Sequence, residues 1–83
     1  SAEAHYHAWR TLGEELGTPH TRAFFQSTFG MHNNQIMPRW LGADLDSETS
    51  RRYAERKEML FREVVSRHLV ALPGVPDFVV AAR

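Results

Sequence analysis

There is no cysteine in this 83-residue chain. Disulfide staples and thiolate chemistry are both excluded, which permits a reducing cytoplasm, the compartment expected for this chain. Neither sign of charge is in excess, because ten lysines and arginines balance ten aspartates and glutamates. That balance removes the general electrostatic case for nucleic acid or an anionic membrane, while leaving room for a local basic site that meets a phosphate. No run of about 18 apolar residues exists to span a bilayer. The opening Ser1-Ala2-Glu3-Ala4-His5 has no basic region followed by an apolar stretch, so it does not read as a signal peptide. With no initiator methionine, the chain reads as processed, engineered or excerpted. β-branched runs are also scarce, going no further than pairs such as Val64-Val65 and Val79-Val80, and there is no internal repeat or low-complexity segment.

What is present has the make-up of an ordinary globular protein, 42% hydrophobic and 24% charged. The length suits one small domain with a modest core. The pattern predicts a small all-α bundle of two longer helices and two short ones. A first helix is predicted from Ala2 to Leu16, stopped by Gly17 and the turn residues Thr18-Pro19. Thr21 can cap a second through Phe29, which Gly30 stops. A third covers Asn33 to Leu41, although Pro38 inside it is awkward. Asp46 or Ser47 can cap a long fourth helix from about Glu48 to Leu69. Acid-to-base pairs one turn apart, Glu48/Arg52, Glu58/Arg62 and Glu63/Arg67, favour it modestly. Leu72-Pro73-Gly74 then breaks the chain, and residues 75–83 begin another helix with Pro76 in its first turn.

Two polar side chains stand where apolar ones are expected. At about 100° per residue, Tyr53, Leu60, Phe61 and Val64 gather on one side of the long helix, with Lys57 in their midst. An ammonium there is costly to bury unless it finds a partner or reaches water. Lys57 therefore either points into a cleft and meets an anionic substrate, or snorkels with its head in solvent. On the first helix, Trp9, Leu12 and Leu16 define the apolar stripe, and His5 sits within it. His5 is a proton carrier or polar contact at a cleft, or else a hydrogen-bonded core or edge residue. Gly30-Met31-His32-Asn33-Asn34-Gln35 opens the third helix with polar side chains after a glycine. Free backbone N–H groups at such a start suit an anion, and equally an ordinary capped turn.

Other constellations fail on spacing. His5 and His7 point apart on a helix, and His20, His32 and His68 fall in separate elements, so no metal site is expected from the five histidines. No glycine-rich phosphate loop, nucleophile elbow or Ser/His/Asp triad is spaced for catalysis. A helix-turn-helix DNA reader is disfavoured by the zero net charge and the lack of a basic recognition helix. Trp9, Phe24, Phe25, Phe29 and Phe61 are read as core.

The order of four segments resembles the haloacid-dehalogenase-like hydrolases, in particular the helical cap of the β-phosphoglucomutase and phosphoglycolate phosphatase type. Ser1 to Trp9 is similar to the stretch after that family's catalytic Asp-x-Asp, and Phe29-Gly30-Met31 to its cap specificity loop. Ala54-Glu55-Arg56-Lys57-Glu58 resembles its cap-lysine segment, and Leu72-Pro73-Gly74-Val75 the return into the core. The resemblance implies a four-helix cap over residues 1–72, hinges at Ser1, Leu72 and Pro73, and a return segment over residues 73–83 into an α/β catalytic core. It implies that the core's aspartates and Mg²⁺ carry out phosphoryl transfer while the cap closes over a phosphorylated small molecule. No catalytic residue and no metal ligand would lie in this chain. Lys57 would face the substrate, His5 would position it or couple closure, and His32 and Asn33 would belong to the specificity loop. Mutases of the family carry an arginine in that loop. His32 and Asn33 at those positions favour a phosphatase over a phosphoglucomutase. A separated cap should carry Lys57 on an exposed hinge-side face. The alternative is an independent helical interaction or dimerisation module, in which Lys57 would pair with an acid across the interface.

Overall fold

The computed structural model describes residues 2–71, with side chains as far as Arg67. Ser1, Leu72, Pro73 and the return segment 73–83 lie outside the described residues. Those described form an all-α bundle of four helices: α1 (Ala2–Leu16), α2 (Arg22–Ser27), α3 (Asn33–Leu41) and α4 (Ser47–Ala71). No helix among them is long and apolar enough to cross a membrane.

Each boundary has a local cause. Gly17, at φ +74°, ends α1 in a conformation that a side chain resists, and the Thr18 N–H closes the end on the Gly13 carbonyl at 3.0 Å. Thr21 caps α2, its hydroxyl oxygen accepting from the Phe24 N–H at 3.1 Å. α2 stops at Ser27, short of the expected Phe29. There the Thr28 hydroxyl donates back to the Phe24 carbonyl at 2.9 Å, and its own N–H is shared between Phe24 and Phe25. α3 runs through Pro38. The bond lost there is to the Asn34 carbonyl, and Asn34 is exposed, so water can satisfy it. Asp46 caps α4, with its carboxylate accepting from the Thr49 N–H at 3.0 Å.

α1 and α4 pack antiparallel. His5 near the start of α1 stacks on Phe61, while Trp9, one turn on, lies against Lys57, one turn back. The buried cluster is Ala8, Trp9, Leu12, Phe25, Ile36, Met37 and Leu60, drawn from all four helices. Trp9 is its hub. The indole stacks on His20 at 4.7 Å and takes Trp40 edge-on at 5.9 Å. Trp40 in turn donates its indole N–H to the Pro19 carbonyl at 2.9 Å, tying α3 to the α1–α2 connector. Arg56–Glu15 joins α4 to α1 and Arg22–Glu3 joins α2 to α1. Both pairs are exposed enough that solvent screening leaves them a small part in stability.

The α1–α2 connector folds back so tightly that α1 needs a residue without a side chain beneath it. A Cβ on Gly13 would stand 2.6 Å from the Thr18 carbonyl oxygen and 3.1 Å from the His20 nitrogen. Gly13→Ala improves helix propensity yet is expected to cost about 1–3 kcal/mol net through the displaced connector. Urea unfolding of the two proteins measures it, and a gain in stability would show that the connector is not seated on α1.

Candidate functional site

A cavity of about 240 Å³ opens between α1, α3, α4 and the Thr28–Met31 turn. Its apolar wall is Trp9, Phe25, Phe29, Met31 and Ile36, and its polar groups are His5, Thr28, Asn33, Lys57 and Glu58. The turn reaches the cavity because Gly30, at φ +90°, reverses the chain directly after α2. Phe29 is left 62% exposed by that reversal, which corrects its reading as core.

Lys57 is 2% exposed. It is therefore neither snorkelling nor displayed on an outer face, which corrects the expectation for a separated cap. Its ammonium stays inside because partners meet it there. Nζ lies 2.8 Å from His5 Nδ1 and 3.1 Å from Glu58 Oε2, and 5.2 Å and 5.4 Å from the ring centres of Trp9 and Phe61. Two of the three ammonium N–H bonds are thus taken by the protein.

The contact also fixes the chemistry of His5. An ammonium only donates, so Nδ1 must be the bare nitrogen and the imidazole proton must sit on Nε2. Burial, and after it the neighbouring Lys57 charge, hold His5 below the ordinary histidine pKa, against an upward pull from Glu58. Stacking on Phe61 at 4.0 Å, 9° from parallel, holds the ring plane. A neutral ring with an Nε2–H donor results.

Glu58 is the residue that the sequence pattern missed. Read as the surface partner of Arg62, it stays half-exposed and pairs with Lys57 and Asn33 instead. Its Oε2 accepts from Asn33 Nδ2 at 2.8 Å as well as from Lys57. Burial alone would raise its pKa, but these hydrogen bonds and the Lys57 charge outweigh burial and set it below the usual range. None of the three acid-to-base pairs expected one turn apart forms. Arg51 instead holds Glu48 and Glu55.

Of the four residues singled out, the structure brings Lys57, His5 and Asn33 to one cavity. His32 stays outside it. His32 is exposed and opens α3 through its backbone carbonyl, which accepts from the Gln35 and Ile36 N–H groups, with no side-chain cap bond. Among the described residues no three His, Cys, Asp or Glu side chains are grouped as metal ligands, and the cavity's polar groups offer hydrogen bonds and charge. No family model, curated protein or solved structure matches this chain.

Proposed function

We propose that this chain is the substrate-specificity cap of a Mg²⁺-dependent phosphoric monoester hydrolase of the haloacid-dehalogenase-like type, working in the cytoplasm, with sugar-phosphate mutase the less favoured activity. The observation that supports this most is that Lys57 and the Phe29-Gly30-Met31 turn line one cavity. The resemblance assigns these two segments, from different parts of the chain, to substrate contact. In this reading the partner is the catalytic core of the same enzyme, which contributes the attacking aspartate. The core's Mg²⁺ supplies charge neutralisation at the phosphoryl group. The cap's residues do the rest. Lys57 and the His5 Nε2–H donate to oxygens of the leaving group, Asn33 holds Glu58 in place, and the apolar turn excludes water on closure. Alone, the cap hydrolyses nothing.

Exposed Phe29 and Met59 favour a second reading, an independent interaction or dimerisation module. Against it stands the pairing of Lys57 with Glu58 of its own chain, which removes the need for a partner's acid.

Phosphate release tests the proposal. The uninterrupted reading frame around these residues is expressed and assayed with Mg²⁺ on a panel of phosphate esters, beside Lys57→Ala. The parent is expected to hydrolyse some of them, and the variant to lose roughly 10- to 100-fold in kcat/KM, the scale of one hydrogen bond from a charged donor. A frame with no upstream Asp-x-Asp and no phosphate release overturns the proposal in favour of the interaction module.

A further inference from the structure

The cavity contains its own counter-charge. Lys57 Nζ and Glu58 Oε2 are in contact at 3.1 Å, and the Glu58 side chain, 41% exposed, stands on the cavity wall. His5 accepts from Lys57 and adds no charge, and Asn33 is a neutral amide. Among the described residues no other charged side chain lines the cavity, so its charges sum to zero. A ligand carboxylate brought to Lys57 is brought equally to Glu58, and attraction to the one is offset by repulsion from the other. A ligand hydroxyl meets no such conflict. It can accept from Lys57 or the His5 Nε2–H and donate to the Glu58 carboxylate or the Asn33 amide oxygen. The volume, about 240 Å³, suits a small molecule with one or two such groups.

We infer that the leaving group held by this cavity is neutral and hydroxylated, a small polyol or sugar, and that a leaving group bearing a second anionic group is discriminated against through Glu58. The inference rests on the cap reading above and names the substrate class for it.

Two esters that differ only in a CH₂OH against a carboxylate, glycerol phosphate and phosphoglycerate, provide the test. Both are assayed on the full reading frame with Mg²⁺, in the parent and in Glu58→Gln. The ratio of the two kcat/KM values is read within each preparation, so a partly unfolded variant does not move it. The parent is expected to favour glycerol phosphate by about tenfold or more, and Glu58→Gln to remove about tenfold of that preference, one order of magnitude being a modest single-charge effect. Equal or better use of phosphoglycerate by the parent, or a ratio unmoved by Glu58→Gln, overturns the inference and leaves the cap reading standing. No hydrolysis of either ester or of any other in the panel removes the cap reading, and this inference with it.

Discussion

Trp9→Ala is expected to cost this chain about 3–5 kcal/mol, the range for deleting a large aromatic side chain from a packed interior. The residue is 2% exposed and joins several of the elements around the site. It stacks on His20, meets Trp40, faces the Lys57 ammonium and lines the cavity. The α1–α2 connector, α3 and α4 therefore all lose a contact at once, and little is free to collapse into the space. A domain of this size, at about 0.05–0.15 kcal/mol per residue, has only some 4–11 kcal/mol to lose. Circular dichroism during urea unfolding should show the midpoint of Trp9→Ala moved to very low denaturant or the transition gone, with Trp9→Phe falling between. A variant with the parent's midpoint would mean that the four helices are held together by something other than this indole.

Mild acid is the second large effect. His20 is 4% exposed, enclosed by Trp9, Phe24 and Trp40, and both its ring nitrogens are buried without a hydrogen-bond partner. Burial, with a smaller push from the Lys57 charge, takes its pKa from 6.5 down to about 4. The unfolded chain thus binds the proton more readily than the folded one. The corresponding stability is fully present above about pH 6.5, and it falls as the pH drops towards the folded value near 4. A gap of this size corresponds to about 3 kcal/mol. His5 and Glu58 are also shifted downward, so their protonation weakens the fold in the same direction. His20→Phe keeps a flat ring on Trp9 and has no nitrogen to protonate. Its unfolding free energy should fall much less from pH 7 to 4.5 than the parent's, which drops by a few kcal/mol, with His5, Glu58 and the other downward-shifted carboxylates, Glu3, Glu15, Asp46 and Glu48, supplying the remaining slope. Equal slopes in parent and variant would place the acid sensitivity elsewhere.

The sequence was most legible where one helix decides the outcome. Ala2–Leu16 and Asn33–Leu41 have the bounds that their caps and periodicity indicate. Lys57 and His5 stand out because each interrupts an apolar stripe on its own helix, and in the structure the two interruptions meet at 2.8 Å. What stayed illegible depends on a second element. Glu58 carries the pattern of a surface acid one turn before an arginine, and Asn33, on α3, with Lys57 beside it, shows why it faces the cavity. His20 lies in a connector with no period to place it, and its burial follows from Trp9 and Trp40 closing over it. Phe29 is as hydrophobic as Phe25, but the turn at Gly30 carries it to the cavity mouth. The early end of α2 came from a threonine hydroxyl competing for helix carbonyls, which helix propensity does not register.

The site stands or falls on the contact between Lys57 and His5. Long-range proton–nitrogen correlation spectra of the nitrogen-labelled chain report directly which His5 ring nitrogen carries the proton. At neutral pH they should show His5 as a single neutral tautomer, protonated at Nε2 with Nδ1 bare, titrating below an ordinary histidine, and Lys57→Met should return it to the usual tautomer mixture. A His5 that titrates as an ordinary histidine and ignores Lys57→Met would contradict the buried ammonium, the neutral cavity and the substrate role built on them.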